Sequence, residues 1–447
     1  MLDELVENRY PYNDGLDFFI NGYWLMPEAI HILLGWGFLS IFCLLVFWRA
    51  SGSIAFKFSL LYFSLALYNN PAFNYLGVNI NEYFGVIAIV FGAFERHVYS
   101  KRLDFRSPVA FGLIFLFLFS IVHALIVGIF NPELNPDIKT WLLKVAINFK
   151  VFILAINLLI VGASARQNKL FDFIIRAVVL CGSVGAIIYL IQVGLILSGT
   201  LPFGTYFDAG FVGVPSFGSV SIERGHFGKM MAPLAPFFLY AFIVFKWRIA
   251  FTLFFIVSCI NISASSLFFF FIFCLLATWY FREQLVSLRN FFIFSTVGCA
   301  LVLLIALNYE IYSGVIAKIY ELAVAGDEEG VGGRTIEILS VYITEYPYGI
   351  GYSGSTLRIA PGLPEINSGL YSFFSQFSFL GFGILLGYAY LLLKTLQCKC
   401  SDDRLLTFKI FKIGVVLSSF IFFADILWFI PTIWLSYILI WSIKKTD

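Results

Sequence analysis

Apolar residues fill long stretches of the chain, and polar ones are confined to the short segments between them. A hydrocarbon core about 30 Å thick needs roughly 20 apolar residues per helix. By that measure the pattern predicts helices near 30–48, 54–68, 83–94, 109–130, 142–162, 170–198, 226–245, 249–262, 264–281, 291–308, 369–393, 405–424 and 428–443. The runs 83–94 and 249–262 are short, so the expected count is 12 or 13. Gly, Pro and Ser inside the runs fit helices that pack closely on one another in a membrane. The fold expected is all-α: a polytopic helical bundle forming a single membrane domain over 1–447.

The polar gaps set an orientation. Lys and Arg in short loops stay on the cytoplasmic side. One alternating set of gaps, with the run ends beside it, holds 19 of the 29 Lys and Arg, and the opposite set holds 19 of the 27 Asp and Glu. The C-terminus is therefore expected inside and, with 13 spans, the N-terminus outside. The first apolar run starts near Ile30 behind an acidic leader, so no secretory signal is expected. Two outer gaps are long: 199–225 and 309–368. Long ordered loops in a compact protein are usually functional. Helical apolar spacing recurs over 312–325 and 334–346, so the second loop is expected to hold two short interfacial helices. Pro347 with Gly349, Gly351 and Gly354 demands irregular backbone after the second of them.

Composition agrees with this picture and narrows it. The chain of 447 residues is 60% hydrophobic and 13% charged, with mean hydropathy +0.90. Soluble domains are about 25% charged. The formal charge of +2 excludes a nucleic-acid footprint, which needs clustered excess cation. Of the seven Cys, five lie in apolar runs and read as buried thiols, while Cys398 and Cys400 form a CxC beside basic residues.

Candidate chemistry is sparse. Arg224 and His226 close the first long loop, and Arg334 and Arg358 lie in the second. Arginine suits a diphosphate because its planar fork donates two parallel, charge-assisted hydrogen bonds. Gly332 and Gly333 ahead of a helix start could aim backbone N–H groups at an anion. The plainer alternative pairs these arginines with outer acids such as Glu223 or Glu337. Within the apolar runs, Lys144 and Lys229 lie near ends and can snorkel. Lys150 and Arg176 lie deeper and are expected to line a polar cavity, with Asp425 a possible partner for either. His31, His97 and His123 are isolated and receive no role. No DxD, HExxH or CxxC spacing and no phosphate-binding glycine loop occurs, so neither metal nor cofactor is expected, and the energy of any reaction must come with its substrate.

Gly333-Arg334-Thr335, an amphipathic stretch and then Tyr346-Pro347-Tyr348-Gly349-Ile350-Gly351 resemble the outer-loop signature of the O-antigen polymerase and O-antigen ligase superfamily. Asn367-Ser368 through Ser378-Phe379-Leu380-Gly381 resembles the late span that completes this signature. Arg224-Gly225-His226-Phe227-Gly228 is similar to an arginine segment of the same proteins. Ser263-Ala264-Ser265-Ser266 resembles their Ser-Arg-Gly turn, with the Arg missing. The resemblance covers roughly 220–390. It implies a glycosyltransferase of the bacterial inner membrane, working on the periplasmic side on undecaprenyl-diphosphate-linked oligosaccharide. The growing glycan would pass to the next lipid-linked repeat unit, with membrane lipid and a chain-length regulator protein as further partners. Arg224, Arg334 and Arg358 would hold the diphosphate. His226, Glu337, Glu345 and Glu365 are the candidates for the base. Asn367, expected beside the cavity with Lys150 and Arg176, stands where ligases carry a His, which favours polymerase over ligase. A lipid-linked oligosaccharide flippase or transporter, or a peptidoglycan-type polymerase, would share the span count. Transporters usually show related halves, and no half-to-half similarity is evident here.

Overall fold

The computed structural model describes residues 37–68, 74–75, 78–99, 107–134, 138–197, 219, 221, 224–261, 264–285, 336–351, 369–424 and 430–444. In chain order the elements are α1 (Gly37–Arg49), α2 (Ile54–Ser64), β1 (Asn74–Tyr75) and β2 (Val78–Asn79). There follow α3 (Ile80–Tyr99), α4 (Pro108–Phe130), α5 (Ile138–Ala165), α6 (Asn168–Leu197), α7 (Arg224–Met231), α8 (Ala235–Ile243), α9 (Arg248–Ile260) and α10 (Ala264–Leu285). The last are α11 (Ile336–Glu345), α12 (Gly369–Phe377), α13 (Leu380–Leu396), α14 (Leu405–Ala424) and α15 (Pro431–Ile443). The strands form one antiparallel two-residue hairpin. The chain is an all-α polytopic membrane protein.

Among the described residues, four segments are long and apolar enough to cross a membrane, namely Pro108–Phe130, Val145–Ala165, Asn168–Gly194 and Asp402–Phe422, and seven shorter apolar helices accompany them. The first shows the logic most clearly. Ser107 caps α4 by accepting the Ala110 N–H, and Pro108 takes the first-turn position where no N–H is missed. Phe111, Phe115, Leu118, Val122, Leu125 and Ile129 then form an exposed, wholly apolar stripe. The opposite face buries Ala110, Leu113, Ser120, His123 and Val127. Apolar outside and polar within is the arrangement a lipid solvent selects.

The expected runs 109–130 and 405–424 coincide with α4 and α14 to within a residue. Run 83–94 is only the apolar middle of the 20-residue α3, whose charged ends the hydropathy pattern cut off. Two runs are broken. Pro233 and Pro236, each lacking an N–H, divide 226–245 into α7, a 3-10 turn at Ala232–Leu234 and α8. Run 369–393 breaks at Ser378, whose φ is 50°. The expected helices over 291–308 and 312–325 lie outside the described residues.

The chain forms two compact units. Unit 1 comprises Met1–Ser53, Leu60–Phe84 and Asn168–Ile319. Here α6 packs on α8 and α9, and Phe238 stacks on Phe254 with ring centres 4.9 Å apart. Tyr68 donates its hydroxyl to the Cys181 carbonyl. The close of the first long loop is tied to α6: Ser219 N–H donates to Gln192 Oε1 at 2.9 Å, and Ser219 Oγ to the Gly185 carbonyl at 2.6 Å. Ser221 Oγ donates to the Leu67 carbonyl.

Unit 2 comprises Ile54–Ser59, Gly85–Gln167 and Tyr320–Asp447. Its centre is α15, buried along its whole length except at Trp441 and packed against α5 and α14. A helix apolar all round belongs in an interior. Near its middle a ring of hydroxyls clasps it. Tyr388 of α13, Ser419 of α14 and Tyr437 of α15 lie 2.6 to 3.0 Å from one another. Elsewhere Asn157 of α5 accepts from Ser59 Oγ and donates to the Gly85 carbonyl. Such pairs hold helices together where apolar contact alone gives no preference over lipid.

Candidate functional site

In unit 2, α11 buries Leu339 and Tyr342 and ends at Glu345, which is exposed. The chain then reverses through Tyr346-Pro347-Tyr348-Gly349, closed by the Gly349 N–H donating to the Tyr346 carbonyl at 2.8 Å. Gly349 and Gly351 have φ of 81° and 79°, which residues with a Cβ rarely adopt. Between and after them, Ile350 N–H donates to the Ser375 carbonyl and Gly351 N–H to the Gln376 carbonyl, each at 3.0 Å. Both acceptors belong to the last turn of α12, where helix carbonyls lack partners of their own. The glycine turn therefore caps α12. It does so at such close range that a Cβ on Gly349 would sit 2.3 Å from the Gln376 oxygen.

Helix α4 holds the same turn from another side. His123 Nε2 lies 2.8 Å from the Tyr348 carbonyl oxygen, which fixes that nitrogen as the protonated one, because a carbonyl only accepts. The His123 ring is 3% exposed and lies between Phe119 and Phe377, at 5.8 and 5.1 Å. Two helical turns further on, Phe130 stacks on Tyr348 at 4.8 Å. Val127, Leu134, Tyr342 and Ile350 form a small apolar cluster beneath, with Tyr346 and Tyr371 against it. The outcome is a turn held from two sides that presents Tyr348, 51% exposed, three residues beyond the exposed Glu345.

In unit 1 a second arrangement positions Arg224 and His226. Both lie in the first two turns of α7, and their side chains lie outside the described residues. Behind them Phe227 stacks on Tyr189 at 5.3 Å. A Cβ on Gly228 would meet Ser266 at 2.3 Å, so α7 and α10 touch where Gly and Ser face each other. Ser266 lies in the first turn of α10, which begins at Ala264.

Glu337 lies in α11, with its side chain outside the described residues. Arg334, Arg358, Glu365 and Asn367 fall wholly outside them, as does Asp425. Lys150 is half-buried in the span Val145–Ala165. Arg176 is exposed, and its guanidinium lies 4.4 Å over the Phe245 ring and 5.8 Å from that of Trp247. That places it at the turn joining α8 to α9, beside Tyr240, whose hydroxyl donates to Asp172.

His123 was given no role from the sequence, yet it reaches the glycine turn. The available signal was Ser120 and His123, three residues apart on an otherwise apolar helix, and so on one face of it. Nothing in the sequence said what that face would meet. No family model, curated protein or solved structure matches the chain.

Proposed function

We propose that the protein is a polysaccharide repeat-unit polymerase of the bacterial inner membrane. It moves a growing glycan from undecaprenyl diphosphate to the next lipid-linked repeat unit on the periplasmic side. The observation that carries this reading is the docking of Tyr346–Gly351 onto the last turn of α12. These are two of the segments through which the sequence resembles the O-antigen polymerase and ligase superfamily. They lie apart in the chain and are built into one another by hydrogen bonds that require glycine.

In this reading the acceptor hydroxyl attacks the anomeric carbon. Its proton goes to a carboxylate or imidazole drawn from His226, Glu337, Glu345 and Glu365. The bond from the anomeric carbon to the diphosphate oxygen breaks, and Arg224, Arg334 and Arg358 take up the charge left on the diphosphate. A charge-assisted hydrogen bond contributes about 1.5–3 kcal/mol, so losing one arginine slows transfer roughly 10- to 100-fold. Asn367 at the ligase His position favours polymerase.

The test is surface polysaccharide run on a gel from a deletion strain complemented with variants at matched membrane levels. Deletion is expected to leave surface lipid with at most one repeat unit. Arg224→Ala and Arg334→Ala shorten the ladder, and Arg→Lys restores it only in part. Normal ladders in the deletion strain would defeat the reading.

A further inference from the structure

The basic ends of α13, α14 and α15 converge in unit 2, and no transfer chemistry uses them. Lys394 donates to the Tyr390 hydroxyl at 3.1 Å, with its ammonium 5.3 Å from that ring. Lys412 lies 4.6 Å over Phe408, and Lys444 lies 5.0 Å over Trp441. The Trp441 indole N–H donates to Thr395 Oγ1 at 3.1 Å. This bond fixes the ring under Lys444 to the last turn of α13, one residue from Lys394. Cys398 Sγ closes the same turn by donating to the Lys394 carbonyl. The ammonium groups of Lys444, Lys412 and Lys394 all act on that thiol, pulling it back against the rise that burial imposes. Among the described residues no carboxylate pairs with any of the three lysines.

Leading up to this cluster is an apolar track. Phe382, Leu386, Tyr390 and Leu393 are exposed along one face of α13, at spacings of three and four residues, and Lys394 follows directly. A ligand matching both parts carries a phosphate anion at one end and acyl chain at the other. A soluble phosphate would find the cations but leave the track empty. Ammonium groups set over aromatic rings at a membrane interface also suit a headgroup, because the rings hold the lysine stems while the charges stay exposed.

We infer that the ends of α13, α14 and α15 form a binding site for one anionic phospholipid, its headgroup phosphate held by Lys394, Lys412 and Lys444 and an acyl chain lying along Phe382, Leu386, Tyr390 and Leu393. The site is independent of the polymerase reading, since its occupant is neither donor nor acceptor.

Native mass spectrometry of the full-length protein in detergent, with phosphatidylglycerol or phosphatidylcholine of identical acyl chains added, tests this. One phosphatidylglycerol is expected to be retained per chain in clear preference to phosphatidylcholine. Each basic residue near a membrane surface contributes about fivefold in affinity, so the triple Lys→Gln variant binds roughly a hundredfold more weakly. The triple Lys→Arg variant keeps the charge and retains the lipid, which separates loss of charge from loss of fold. Equal retention of the two phospholipids would overturn the proposal, as would undiminished binding by the triple Lys→Gln protein. Displacement by inorganic phosphate would reassign the site to a soluble anion, and preferential retention of undecaprenyl phosphate would reassign it to a lipid substrate.

Discussion

His123 Nε2 and the Tyr348 carbonyl oxygen lie 2.8 Å apart across 225 residues of sequence. An imidazole on the apolar helix α4 thereby holds the backbone of a proline–glycine turn. The ring fills the space between Phe119 and Phe377, so His123→Ala removes both a buried donor and its volume, at about 2–4 kcal/mol. His123→Gln places an amide nitrogen near the Nε2 position and should recover part of the loss. Apparent Tm in detergent measures the first effect. Under the polymerase reading, glycan ladders at matched expression should follow the same order of wild type, Gln and Ala.

Gly349→Ala should be more severe than its one methyl suggests. A left-handed residue with a Cβ costs roughly 1–2 kcal/mol, and the added carbon would lie 2.3 Å from the Gln376 oxygen. The turn must then leave α12, giving up the bonds from Ile350 and Gly351. The expected sign is new protease cleavage between 346 and 351. Gly383→Ala is the control, because nothing lies within 4 Å of a Cβ there.

The contact between α7 and α10 offers a compensation test. Gly228→Ala overpacks against Ser266 and should destabilise by about 1–3 kcal/mol. Adding Ser266→Gly vacates the space the new methyl needs, so the double variant should unfold at a higher temperature than Gly228→Ala alone. Strict additivity of the two changes would show that the residues do not face each other.

Much of the architecture was legible because lipid rewards one property repeated over many residues. α4 and α14 are uniform apolar runs, and their ends were readable from Ser107-Pro108 and from the basic residues ahead of Leu405. The breaks were not read. Pro233 and Pro236 lie in an apolar run that hydropathy averages over, and Ser378 carries no signal for a left-handed φ until Gly381 is seen packed 2.5 Å, by its absent Cβ, from the Phe373 carbonyl. In the site, the irregular backbone after α11 was predicted from its glycines. Its partner was not, because backbone carbonyls such as those of Ser375 and Gln376 leave no trace in residue identity. Arg176 was expected in a cavity from its depth along the run. Depth along a helix says nothing about reach, and a long side chain can travel back toward an aromatic pair such as Phe245 and Trp247.

The CxC should respond to charge. Burial raises the Cys398 thiol, and Lys444, Lys412 and Lys394 oppose that rise, Lys444 most strongly. Lys444→Gln removes the largest opposing charge, so the thiol moves up further and less thiolate is present at any given pH. Maleimide labelling of a Cys400→Ser background should therefore slow in Lys444→Gln, and its rate-against-pH curve should shift to higher pH. An unchanged curve would place the ammonium too far away to act.

Because α15 is wrapped on nearly every side, unit 2 is filled from a late part of the chain. Helix α5, which packs directly on it, leaves the ribosome some 260 residues earlier, roughly 15–50 seconds at ordinary synthesis rates. For that interval the face of α5 that α15 covers has only lipid or an insertion chaperone to meet, and Ser419 of α14 gains its Tyr437 partner only when α15 follows. Assembly of this half therefore waits on a single late helix. A ribosome that stalls before Pro431 would release a protein already threaded through the membrane, yet still hollow where its heart should be.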